Sequence, residues 1–92
     1  MKVKVFANFR EICGQKVVTL NLSSSQHSID TVLHQLIAQY PALKDEVFAE
    51  DKTLKPLVNV FVNGQNIVHL NGLKTIVNEE DEIALFPPVA GG

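Results

Sequence analysis

The chain closes on Pro87-Pro88-Val89-Ala90-Gly91-Gly92, and the residue types of this stretch point to chemistry. Two prolines hold φ at about −65° and favour an extended course, so the backbone cannot curl back at once. Slim residues follow, and glycine without Cβ lets a backbone pass a narrow slot and approach another active site closely. Fully extended, these six residues reach about 20 Å. The carboxylate of Gly92, with a reference pKa of ~3.3–3.7, is ionised at neutral pH and can attack an activated phosphate. A terminal Gly-Gly arises by chance about once in 200 chains at ~7% glycine. The pair alone is therefore a modest signal, and it gains its weight from the stiff exit that precedes it.

The other reactive residue types form no constellation. His27, His34 and His69 lack metal-ligand spacing, and His34 points away from the apolar stripe of its helix, the place of a solvated histidine. No metal site is expected. The single cysteine, Cys13, has no neighbouring base and reads as a packed thiol. Gly72-Leu73-Lys74-Thr75 echoes a phosphate loop, but its glycine comes one residue early and the upstream glycine is missing. The chain thus offers no nucleotide site or bound cofactor of its own.

The elements that must position the tail follow from periodicity. Residues 2–9 begin Lys-Val-Lys-Val before Phe6, the alternation of a half-buried strand, and residues 16–22 alternate again with Val18, Leu20 and Leu22 on one face. The two predict an opening hairpin with a loop of about five residues. Residues 23–28 read as a polar connector. Ile29, Val32, Leu33, Leu36, Ile37 and Tyr40 then make one stripe of an α-helix. Ser28 suits its N-cap, Asp30 complements its dipole, and Pro41 stops it at Tyr40. Residues 43–57 are mixed, a short helical turn and a loop. Val58, Val60 and Val62 define a third strand, closed by the hairpin signal Asn63-Gly64. Ile67-Val68 suggests a short edge strand, Asn71-Gly72 a turn, residues 79–82 a solvated acidic turn, and residues 82–86 a last strand. The expected fold class is α+β, with one main helix packed across a mixed sheet of four to five strands. Residues 1–86 form the domain and residues 87–92 the tail.

Composition bounds the partners. Ninety-two residues with 46% apolar and 20% charged content suit one small globular domain. The net charge is −2 and the eight basic residues are scattered, so a nucleic-acid partner is not expected. No stretch is long and apolar enough for a membrane span. One thiol and no signal-peptide pattern make the cytoplasm the expected location.

Phe6-Ala7-Asn8-Phe9-Arg10-Glu11-Ile12-Cys13-Gly14 resembles the F-A-x-x-R-E-x-x-G opening of the MoaD/ThiS family. Gly72-Leu73…Thr75, Glu80-Asp81-Glu82-Ile83 and the Phe86-to-Gly92 ending resemble that family's second half. The resemblance implies a ubiquitin-like β-grasp in which the first, last and third strands lie side by side. It also implies a carrier rather than an enzyme. A ubiquitin-activating-type adenylating enzyme spends ATP on the Gly92 carboxylate, sulfur displaces AMP, and the thiocarboxylate serves a sulfur-accepting synthase. The first expectation for that synthase is the molybdopterin-synthase large subunit. The alternatives are cysteine or homocysteine synthesis, or conjugation to proteins as a modifier. Residues 43–57 are longer than in compact molybdopterin-synthase small subunits and look closer to CysO-type carriers and small archaeal modifiers.

Alternation adds a second expected element. With Val3 and Val5 facing the helix, Phe6 faces away. Phe61 turns outward beside inward Val60 and Val62, and Phe86 beside inward Ile83 and Leu85. Three of the five phenylalanines thus share the face opposite the helix, a candidate docking patch beside the tail. Beyond Val89, small residues at a terminus are expected to be flexible.

Overall fold

The computed structural model describes residues 1–22 and 25–88. Strand β1 (Lys2–Val5) buries Val3 and Val5 and exposes its lysines. Helix α1 (Ala7–Cys13) follows, then β2 (Val17–Thr19), β3 (Gln26–Ser28) and helix α2 (Ile29–Gln39). A 3-10 turn at Pro41–Leu43 leads into the short α3 (Lys44–Val47). Strands β4 (Asn59–Val62), β5 (Gln65–Asn66), β6 (Ile76–Asn78) and β7 (Ile83–Phe86) complete the chain, with 3-10 turns at Ile67–His69 and Gly72–Lys74.

Five strands form one mixed sheet in the order β2-β1-β7-β4-β5. β1 and β7 run parallel in its centre, and the other pairs are antiparallel. Strands that lie parallel cannot be joined by a tight turn, and here the long crossover contains α2. The register Val3↔Ile83 and Val5↔Leu85 sets four fully buried side chains against α2, whose Ile29, Val32, Leu33 and Leu36 close the core. Ile37 and Tyr40 pack at its margin. The α2 ends match the sequence signals: Ser28 Oγ accepts from the Thr31 N–H at 3.2 Å, and Tyr40 is the C-cap ahead of Pro41. Asn63 and Gly64 both take positive φ, 51° and 83°, as a two-residue hairpin between twisted strands requires.

Four expectations are corrected. The first strand ends at Val5, and the expected loop of the opening hairpin is instead the helix α1. Phe9 and Cys13, one turn apart, are its buried residues. Gly14, at φ 71°, caps it by donating its N–H to the Arg10 carbonyl at 2.8 Å, the usual left-handed stop. The polar connector contains β3, which pairs with β6 in a separate two-stranded sheet. Ile67-Val68 is a 3-10 turn, and the edge strand lies just before it. Asn66 Oδ1 accepts from the Val68 N–H at 3.0 Å, so the chain coils where Ile67 buries and Val68 does not. Finally, the acidic turn is only partly a solvated one. Asp81 accepts from the Asn78 N–H at 2.8 Å and from Asn63 Nδ2 at 2.9 Å. Asn63 Oδ1 in turn accepts from the Glu82 N–H at 2.9 Å, tying this turn to the β4–β5 hairpin.

Candidate functional site

Because β1 and β7 are parallel, they finish at the same edge of the sheet. The pairing Val5↔Leu85 leaves Phe6 beside Phe86, and the two rings stack with centroids 4.2 Å apart and planes 7° apart. β4 runs the other way, so Phe61 pairs with Ala84 and reaches Phe86 on the diagonal. There the rings meet edge to face, 5.4 Å apart at 83°. Diagonal cross-strand neighbours are within reach of aromatic side chains. All three rings are half-buried, on the face away from α2.

Beside the rings lies a trough of about 290 Å³ lined by Lys4, Phe6, Phe61, Glu82, Ala84 and Phe86. Its floor is Ala84, whose side chain stops at Cβ while its cross-strand neighbours Lys4 and Phe61 are long. That volume is near the lower bound of ~300–1,000 Å³ for small-molecule pockets. The shape suits an inserted side chain better than an enclosed metabolite. Lys4 Nζ lies 3.1 Å from Glu82 Oε1 at the other end of the trough. Both side chains are well exposed, so this pair contributes little stability.

Arg10 joins this face, though strand alternation gives it no place there. Its Nε donates to the Val5 carbonyl at 3.3 Å, and its guanidinium carbon sits 5.4 Å from the Phe6 ring centroid. The missed signal is its spacing of four from Phe6, which becomes adjacency only once α1 is a helix. The strand end, Phe6 and Arg10 thus form one connected corner.

Pro87 is buried and Pro88 exposed, so the chain leaves the body at Pro88, next to the stacked rings. Val89, Ala90, Gly91 and Gly92, with the flexibility expected of them, lie outside the described residues. The remaining candidates are dispersed. Burial raises the Cys13 thiol pKa above its ordinary value, leaving less thiolate for chemistry. His34 Nδ1 is 2.8 Å from the Asp30 carbonyl oxygen and 3.3 Å from its carboxylate. His27 lies opposite Val77 in the small sheet. Gly72-Leu73-Lys74 is a 3-10 turn and does not lead from a strand into a helix. Among the described residues no group of His, Cys, Asp and Glu is clustered to hold a metal ion.

The ThiS family profile matches residues 3–92. The chain belongs to the ThiS family. This family of ubiquitin-like sulfur carriers is the one to which the opening and ending motifs point. Small archaeal modifier protein 3 of Haloferax volcanii is 39% identical over 92 residues, covering 100% of this chain and 98% of that protein. The molybdopterin synthase sulfur carrier subunit of Chlamydomonas reinhardtii is 35% identical, covering 100% and 98%. The crystal structure of small archaeal modifier protein 1 from Haloferax volcanii superposes with a TM-score of 0.86 at 33% identity, over 99% of this chain and 97% of that one. The ThiS-family chain therefore has the ubiquitin-like β-grasp fold.

Proposed function

We infer that this chain is a ubiquitin-like modifier activated at Gly92 and joined through it to amino groups of other proteins, with sulfur carriage as a second fate of the same activated tail. The observation that carries this reading is that the central strand ends at Phe86, a wall of the trough, and the chain leaves the body two residues later at the exposed Pro88. An activating enzyme that grips the trough receives the tail at a fixed origin. Pro87 is held in the body, so the working tail is the five residues from Pro88, with a reach of about 17 Å. Residues 1–86 serve as the gripped body. The chain acts as co-substrate and supplies no catalytic group.

In this scheme the Gly92 carboxylate attacks the α-phosphorus of ATP held by the partner adenylating enzyme, and pyrophosphate leaves. A lysine amine or a sulfur nucleophile then attacks the acyl carbon and expels AMP. Val89, Ala90 and Gly91 thread the slot, and ATP binds to the partner. The full-length similarity to a small archaeal modifier protein supports placing conjugation first. The sequence alone put the molybdopterin-synthase small subunit first. That becomes the second reading, supported by the full-length 35% identity to such a subunit; its sulfur acceptor is then the synthase large subunit. No helix among the described residues is long and apolar enough to cross a membrane, and a cytoplasmic site of action is part of the proposal.

The deciding experiment isolates the tagged chain from its own cells. Trypsin cuts nowhere after Lys74, so a conjugate leaves residues 75–92 as a branch on the acceptor lysine. Branched peptides support the modifier. A terminal oxygen-to-sulfur exchange without branches supports the second reading. Absence of both, with the adenylating enzyme and ATP supplied, refutes activation at Gly92. One extra residue after Gly92 should abolish pyrophosphate exchange.

A further inference from the structure

The large apolar side chains that stand exposed among the described residues all fall in one region of the chain: Val68 at 71%, Leu57 at 70%, Ile76 at 60% and Leu70 at 36%. None of them lines the aromatic trough. Two of the four border a pair of depressions with Leu73 as their common wall. Val68 lines the first together with Leu54, Lys55, Val58 and Ile67. Ile76 lines the second together with Ser28, Asp30, Lys52 and Lys74. The combined groove runs from the start of β4 past the two later 3-10 turns to the N-terminal end of α2.

Its charge is opposite to that of the molecule. Three of the eight basic residues, Lys52, Lys55 and Lys74, line the groove of a chain whose net charge is −2. Among the described residues none of the three makes an ion pair. The one acid lining it, Asp30, faces His34 at 3.3 Å. Apolar ridges interleaved with unpaired cations match a ligand with apolar anchors and carboxylates between them, and such complementarity gives specificity.

We propose that this groove docks an extended, acidic segment of a partner protein. Its apolar side chains lie against Val68, Leu73 and Ile76, and its carboxylates meet Lys52, Lys55 and Lys74. Asn59 lines the groove and pairs with Phe86 in the sheet, so the occupant sits beside the tail exit and leaves the aromatic trough free. The segment and an activating enzyme on the trough then use different residues of the chain. The proposal does not rest on the fate of the tail.

The test titrates the isotope-labelled full chain with a short synthetic peptide of alternating Leu and Glu, followed by amide spectra. Shifts are expected at residues 52–58 and 67–76, with affinity falling as salt rises. The combined K52E, K55E and K74E variant should bind at least about tenfold more weakly, as the sum of three exposed pairs reversed in sign. Val68→Ser with Ile76→Ser should weaken binding while leaving the lysines intact. Both variants should keep dispersed spectra and unchanged pyrophosphate exchange with the adenylating enzyme, which separates this proposal from the fate of Gly92. Equal binding of a Leu–Lys peptide, shifts centred on Phe6, Phe61 and Phe86, or no shifts at all would overturn it. Tighter binding of a single-stranded oligonucleotide at the same residues would make it a nucleic-acid site and overturn it equally.

Discussion

Ala84→Leu tests the docking trough without touching the core. Ala84 sits on the outer face of β7, between the buried side chains of Ile83 and Leu85 on the inner face. Lys4 and Phe61 flank it on the neighbouring strands. The added atoms enter the trough of about 290 Å³ and not the packed interior, so the cost of overpacking a core does not arise. Stability should change by less than about 1 kcal/mol, which in a domain of this size moves Tm by no more than about 4–8 °C. Docking should suffer far more. A central apolar anchor excluded from its pocket costs about 2 kcal/mol or more, which corresponds to roughly a thirtyfold rise in KM. The assay is ATP–pyrophosphate exchange by the partner adenylating enzyme, with this chain as the varied substrate. KM should rise and kcat should hold, because the tail and its carboxylate are unchanged. A wild-type KM for a folded Ala84→Leu protein would refute the trough as the grip.

Three further predictions concern the scaffold. The Cys13 thiol pKa lies above its ordinary 9.0, so the unfolded chain loses the proton first, and stability present below pH 9 falls as pH rises through the folded value. Cys13→Ala should flatten that alkaline limb in urea titrations, and the native thiol should react with a disulfide reagent far more slowly than the unfolded one. Asn63→Ala removes the bonds to Asp81 and Glu82 and the short polar side chain that makes asparagine tolerant of φ 51°; a loss of about 2 kcal/mol is expected in urea unfolding, and Asn63→Gly should lose less. Ala7 opens α1 at φ 50°, a left-handed conformation that costs a non-glycine residue about 1–2 kcal/mol. Ala7→Gly should therefore raise the urea midpoint, the relief exceeding the entropy cost of ~0.5–1 kcal/mol.

The residues that face the core were legible because their spacing is dictated by burial. Val3, Val5, Val60, Val62, Ile83 and Leu85 alternate as half-buried strands must, and the α2 stripe declares its period over three turns. From these the outward turn of Phe6, Phe61 and Phe86 followed without coordinates. What escaped was structure held by backbone and short-range geometry. β3 is polar throughout, so its pairing with β6 leaves no apolar pattern. α1 has only two buried positions, Phe9 and Cys13, too few to outweigh the alternation before it. Arg10 was lost with it, since its contact with Phe6 exists only on a helix. Ile67-Val68 looked like a strand because both residues favour one, yet the Asn66 side chain bends the backbone first.

The placement of β7 also bears on how the molecule is made. The strand that anchors the tail is synthesised after every other strand of the sheet, yet it is the central one. Until residues 83–86 leave the ribosome, β1–β2 and β4–β5 remain two separate strand pairs with no strand to join them, and isolated two-stranded pairs are marginal in water. Closure of the sheet, burial of Ile83 and Leu85, and the meeting of Phe6 with Phe86 are then one late event. A chain cut short before β7 cannot display the aromatic face at all. Closure of the core and assembly of the aromatic face therefore depend on the same four residues, Ile83–Phe86.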